Sequence, residues 1–377
     1  MILNGIGHTP EIEREALLTR YCALPPSPAI QLDPALSLHR TRAILMLANK
    51  WANGTLLHYC FFTDPEADGE MVTLADGTRE WRTWVGAETE RAIVRTAFAS
   101  WKGLGIGLDF KETDKRSEAE IRIGFMLGDG SWSYVGTEIL RQGQGERTMN
   151  FGWSLLGSDG RDTALHEIGH TLGLPHEHQN PNAGIVWDEE AIYASLAAPP
   201  NEWSRDQTFY NIIRKIPPDS VQGSSWDPDS IMHYPFEAGL IAKPQQYAAG
   251  LQPAGGMSSR DVTWVKTFYP PLAASAFRTI QAGASQFLNV TAGGQADFLF
   301  EAPATRKYKV QTFGPCDTQI VLFEEVDGQW RYMGADDDSG EDRNALVSVR
   351  LRVGRRYAIR VRLKYDPGGS PPSVMLV

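Results

Sequence analysis

The string HEIGHTLGLPHEH at residues 166–178 constrains this 377-residue chain more than any other feature, since four of its eight histidines fall inside it. His166 and His170 stand four residues apart. On a helix that spacing stacks two side chains on one face, at the separation two imidazoles need to share a tetrahedral metal. Gly173 follows, and a glycine there supplies the left-handed conformation that ends a helix and turns the chain sharply. The turn lets His176 swing back as a third ligand. Three neutral nitrogens leave one coordination position for water, the pattern of a catalytic rather than a structural zinc. Glu167, beside the first ligand, points to the substrate side, where a carboxylate accepts a proton from bound water and later delivers it to a leaving amine. Uniform residue frequencies give roughly one match to His-Glu-x-x-His-x-x-Gly-x-x-His in ten thousand chains of this size. Chance is a poor account of it.

Composition narrows the remaining classes. A net charge of -10 argues against a nucleic-acid partner, because phosphate recognition needs a basic face. No apolar run reaches the roughly 18 residues that a membrane span requires. The N-terminus MILNGIGHTPEIERE shows no basic segment leading into an apolar core, so no secretory signal is expected. Three widely spaced cysteines, Cys22, Cys60 and Cys316, are too few and odd in number for a disulfide framework. A cytoplasmic protein, or one exported without a cleavable signal, both fit, and the oligomeric state is open.

Along the chain, EIEREALLTRYCAL reads as a short helix and PPSPAIQLDP as an extended linker, giving an N-terminal arm or prosegment over residues 1–43. LLHYCFF reads as a strand, and ETERAIVRTAFASWKGL as a helix with Ala92, Ile93, Ala97, Phe98 and Trp101 on one face. IGLDFKE and AEIRIGFML alternate as strands, followed by SWSYVGTEIL and TMNFGWSLL; the zinc-motif helix should start near Arg161, capped by Ser158 or Asp159. Strands leading into a helix that carries the chemistry predict an α+β domain. After TFYPPL the pattern becomes KYKVQTFG, TQIVLFEE, ALVSVRLRV and RRYAIRVRLKY, short alternating strands separated by turns, which predicts a separate β-sandwich over residues 275–377.

Downstream lies SIMHYPF, whose Met232 suits an apolar floor beneath the imidazoles. Together, HEIGHTLGLPHE and SIMHY resemble the astacin family of metzincins, a likeness that extends through KWANGTLLHYCFF, SYVG, TMNFGW, HEHQNP and SSRDVTWVKTFYP over residues 44–272. The resemblance implies a metzincin-type domain, a twisted mixed sheet with an active-site helix, and a zinc-dependent endopeptidase. Tyr234 would be a further, swinging metal ligand that turns to the oxyanion of the tetrahedral intermediate. Glu177 matches the carboxylate that meets the matured N-terminus in astacins, or pairs within the domain if no prosegment is removed. TMNFGW occupies the place of the edge strand, along which an extended protein or peptide substrate would bind.

Two departures accompany the likeness. The astacin domain usually holds two disulfides, whereas this one has only Cys60. The family's inhibitory Phe-x-Gly-Asp element is missing; Asp33 in IQLDP is a weak substitute, and Cys22 in RYCALPP resembles the cysteine switch of matrix metalloproteinases. A plain arm is the reading preferred to either. A latent zymogen, or a zinc hydrolase acting on a non-protein amide such as a cell-wall component, is the alternative function. His178 and His233 are expected near the site or at the surface rather than on the metal, and Arg260 is suspected of lending charge to a subsite. The C-terminal strands resemble pre-peptidase C-terminal domains. There Asp336, Asp337 and Asp338 offer clustered oxygens for Ca2+, although a solvated turn is the preferred reading.

Overall fold

The computed structural model describes residues 20–26, 49–51, 53–74, 76–217, 225–270, 277–336, 339–340 and 344–377. Strand β1 (Leu56–Phe61) is the apolar run LLHYCF. Beyond it come a hairpin of β2 (Gly69–Thr73) and β3 (Arg79–Thr83), helix α1 (Glu88–Gly103), β4 (Asp109–Glu112), β5 (Ile121–Gly124), β6 (Trp132–Ser133) and β7 (Met149–Asn150). Their five-stranded sheet has the order β4-β1-β5-β7-β6. The first four strands run parallel, and β6 pairs antiparallel to β7. TMNFGW is therefore one strand in from the edge, and SWSY supplies the edge itself.

Helix α1 buries Val94, Ala97, Phe98 and Trp101, whereas Ala92 is exposed. Val94 shares a stripe with Phe98 and Trp101 at steps of four and three, while Ala92 falls outside it. The Trp101 indole donates to the Leu165 carbonyl at 3.1 Å, clamping α1 onto helix α2 (Gly160–Thr171). Below α2 lies a second core in which Ile185, Trp187, Ile192, Trp203, Ile212 and Phe236 enclose Tyr21 and Cys22. Two short antiparallel strands, β8 (Val186–Trp187) and β9 (Ile241–Lys243), form part of its wall. Residues 20–26 carry no regular secondary structure, so the expected N-terminal helix does not reach Tyr21–Leu24; residues 1–19 lie outside the described part.

The C-terminal region is all β. One sheet has the order β10-β12-β17-β14-β15 (Arg278–Thr279, Gln295–Glu301, Arg356–Tyr365, Asp317–Val326, Gln329–Asp336). The other runs β11-β18-β13-β16 (Ser285–Phe287, Ser373–Leu376, Arg306–Phe313, Leu346–Leu351). Tyr357, Ile359, Val361 and Leu363 of β17 face the core between the sheets. The opposite face of β17 is also buried, although it carries Arg360, Arg362 and Lys364. This face packs on the first half of the molecule: Arg362 donates to the Trp51 carbonyl at 2.9 Å, Arg360 to the Gly54 carbonyl, and Arg331 reaches Glu118 at 2.8 Å. The sandwich is docked, not merely tethered.

Candidate active site

His166 and His170 project from α2 and are buried. Asp159 holds the N-cap position, but its side chain makes no capping bond; only its carbonyl accepts from Thr163, at 2.8 Å. At the other end Gly173 takes φ +86°, and the Gly173 and Leu174 amides return to the His170 and Gly169 carbonyls at 2.8 and 3.0 Å. This is the reversal expected of a glycine after a helix. It delivers the Leu174 carbonyl to His170 Nδ1 at 2.8 Å, while the Ile231 carbonyl meets His166 Nδ1 at 2.7 Å.

A carbonyl can only accept, so in both rings Nδ1 carries the proton and Nε2 is a bare lone pair. Nε2 of His170 lies 3.1 Å from Nε2 of His166 and 3.1 Å from Nε2 of His176. Burial holds His166 neutral, its pKa lowered to about 4, and drives His170 and His176 down as well. Neutral lone pairs aimed at one another repel unless a cation lies between them. The spacing is close to the edge of roughly 3.3 Å in a tetrahedron with metal–nitrogen bonds of about 2.0–2.1 Å. These residues fit zinc.

A fourth donor joins the cluster. Cys22 Sγ, which belongs to the arm, stands 3.6 Å from His170 Nε2 and 3.6 Å from Glu167 Oε2, and the ligand atoms of Cys22, His166, His170 and His176 all lie within 4.8 Å of one another. Cys22 of the arm thus lies at the cluster, while Asp33 lies outside the described residues. Glu167 is buried, which raises its pKa well above the carboxylate range. Burial, then the Glu167 charge, likewise pushes the Cys22 thiol up. Tyr234 donates from its hydroxyl to the Cys22 carbonyl at 2.6 Å and lies 2.5 Å from His176 Nε2.

Comparisons with known proteins point to a peptidase family. The family model for astacin, a peptidase family, matches residues 85–269. Residues 85–269 are an astacin-like metalloprotease domain. Bone morphogenetic protein 1 of Xenopus laevis is 30% identical over 194 residues, covering 48% of this chain and 24% of that protein. The chain thus spans about a quarter of the length of that curated relative. The solved structure of myroilysin is 28% identical with a TM-score of 0.50, covering 60% of this chain and 98% of that one. Along the C-terminal strands, the pre-peptidase C-terminal domain of a Bacillus anthracis collagenase is similar at 16% identity and a TM-score of 0.23, covering 28% of this chain and 99% of that one.

In this astacin-like domain the contacts around the histidines are as specific as the histidine cluster itself. Met232 lies under α2 so closely that a Cβ on Gly169 would stand 2.4 Å from its sulfur. The glycine within HEIGH is thus a packing requirement, invisible to the motif alone. Asp261, at the start of helix α4 (Ser259–Phe268; α3 is Glu189–Ala197), accepts from Ser230 Oγ at 2.6 Å and from the Ile231 and Ser258 amides at 2.8 Å each. It pins the loop whose Ile231 carbonyl orients His166. Its only sequence signal was the Ser258-x-x-Asp261 pattern of a capping box.

Glu177 accepts from Asn180 Nδ2 and the Asp227 amide, each at 3.0 Å, and burial raises it to about 7. The pairing is internal to the domain. His178 and His233 are buried rather than at the surface, and the His178 ring lies 4.6 Å from that of Tyr234. Arg260 donates to the Ser225 and Trp226 carbonyls at 2.8 and 3.1 Å and is not among the residues lining the cleft. In the sandwich, both carboxylate oxygens of Asp336 are used, accepting from Ser339 in its own turn and from the Leu346 amide at the start of β16, while Asp337 and Asp338 lie outside the described residues. Cys60 and Cys316 are buried. Among the described residues, no helix is long and apolar enough to cross a membrane.

Proposed function

We propose that this chain is a zinc-dependent endopeptidase held in a latent form. His166, His170 and His176 are the zinc ligands, Glu167 is the base, and Cys22 occupies the position that water needs. The observation that carries this reading is the convergence of three imidazole nitrogens and one thiol sulfur within 4.8 Å, beside a buried carboxylate. Bound zinc would polarise the scissile carbonyl and lower the pKa of its water toward about 7.

The chain's own groups do the rest. Glu167 Oε2 lies 3.6 Å from the sulfur, so a water replacing that sulfur stands within its reach. The carboxylate accepts the water's proton and delivers it to the leaving nitrogen. Tyr234 gives its hydroxyl hydrogen to the Cys22 carbonyl, and after the arm departs the same hydroxyl is free to donate to a substrate oxyanion. A peptide substrate is supported over a non-protein amide because the arm itself lies in the cleft as a peptide. Its Ala23 amide donates to the Ser131 carbonyl at 3.1 Å, next to edge strand β6, and the Asn201 and Asn211 side chains accept from the Tyr21 and Leu24 amides. This reading divides the chain into the arm at 1–43, the catalytic domain at 44–272 and the sandwich at 275–377.

Metal content and casein cleavage, measured with and without a chelator, test it. Wild type should bind a single equivalent of zinc and cut slowly; Cys22→Ala should cut fast. Glu167→Ala in the Cys22→Ala background should keep its zinc and lose about 10²–10⁴-fold in rate. No zinc, or equal silence from wild type and Cys22→Ala, would sink the reading.

A further inference from the structure

Beside Glu167 the cleft opens into a pocket whose wall includes Asp159, Asp162, His233 and Trp153. Its volume is about 250 Å³, room for one long side chain. Three carboxylates line it, counting Glu167, and among its described lining residues the sole cation is Arg20 of the arm. The Arg20 guanidinium lies over the Trp153 ring, 6.0 Å from its centre, a distance at which the ring face attracts a cation.

A second feature points the same way. His233 is 4% exposed, and its Nδ1 meets the Tyr234 carbonyl at 2.7 Å, so Nδ1 carries the ring proton. Its Nε2 is then an acceptor, buried and without a hydrogen-bond partner. The lining therefore presents carboxylates and an aromatic face, with the His233 ring forming part of its wall, and these suit a donor-rich cation. Arg20 stands two residues from Cys22, the residue at the reacting centre.

Resting on the endopeptidase reading, we propose that this pocket is a subsite for an arginine or lysine side chain of the substrate, within two residues of the scissile bond. Arg20, itself exposed, is the cation at its rim in the latent chain. When the arm leaves, the pocket loses that cation, and a basic substrate residue restores it. Neutral or acidic residues there leave the lining unpaired or repelled, which is discrimination by both attraction and penalty.

Cleavage of a random peptide library by full-length Cys22→Ala should enrich Lys and Arg at one position within two residues of the cut. Asp159→Asn with Asp162→Asn should lower kcat/KM for an arginine substrate about tenfold relative to its glutamine counterpart, the size of one charge-assisted contact. Asparagine keeps an oxygen for the Gly256 amide that Asp162 now accepts at 3.0 Å, so the loop is spared. Cleavage without basic enrichment, or enrichment that survives both substitutions, overturns the subsite and leaves the endopeptidase intact.

Cleavage of nothing by Cys22→Ala overturns the endopeptidase reading instead, and the pocket's charge preference is then decided on the latent chain. There, alkylation of Cys22 read by mass spectrometry should speed up in Arg20→Gln but not in Arg20→Lys. Equal rates in both would remove the pocket's preference for a cation.

Discussion

The molecule buries polar side chains in two places, and it treats them differently. In the cleft, His166, His170, His176, His178, His233, Glu167 and Cys22 crowd together, and burial pushes every one toward its neutral form. On the outer face of the sandwich, Arg360 lies 3.5 Å from Asp297 and Lys364 lies 3.7 Å from Asp317, so buried charge meets opposite charge. Arg360 and Arg362 also donate to carbonyls of the catalytic half. Buried charge is tolerated when it is paired, and that is the signature of an interface. A knot of neutral acceptors aimed at one point is instead the signature of a site waiting for a cation.

Zinc should separate the two regions most widely. At about a thousand times its dissociation constant, zinc should stabilise the wild type by about 4 kcal/mol. His170→Ala should abolish that gain, as read by thermal unfolding with and without metal. A comparable zinc response in His170→Ala would mean that the cluster is not the site. Next in size, Asp297→Ala should cost about 3 kcal/mol by leaving the Arg360 charge buried without its carboxylate. Its zinc response should match the wild type. A sandwich variant that loses zinc would break the distinction between the regions.

The smallest effect tests the residue that joins them. Trp51 accepts from Arg362 of the sandwich through its carbonyl and donates from its indole to the Thr171 carbonyl at the end of α2, at 2.7 Å. Tyr269 reinforces the join, donating to the Leu172 carbonyl at 2.8 Å. Trp51→Phe should cost about 1 kcal/mol for the lost hydrogen bond, together with a modest fall in kcat/KM and full zinc content. Denaturant unfolding and metal analysis would read both. A loss confined to stability would mean that the sandwich steadies the helix end without tuning the site.

Much of the centre was legible because it is local. A four-residue interval on a helix, a glycine with positive φ and a returning histidine are fixed by backbone geometry over eleven residues, so the motif carried its own three-dimensional meaning. The sandwich strands β13, β14, β16 and β17 were legible for the same reason, since alternation is a short-range pattern. Strands as short as Arg278–Thr279 and Ser285–Phe287 offer too few residues for a period to show.

What the residues could not announce is who meets whom. RYCALPP resembles a cysteine switch, yet the string does not fix that its sulfur reaches Glu167 across 145 positions, or that Arg20 arrives with it at an acidic pocket. RRYAIRVRLKY reads as a strand with one wet face, yet docking against Trp51 and Gly54 makes that face dry. TMNFGW reads as an edge until β6 pairs outside it. By itself the sequence determined the three histidines, the glutamate and the turn that gathers them. Only the tertiary structure decided the fourth donor, the outermost strand and the partners of the buried charges, because each depends on loop closures and packing between segments that share no local pattern.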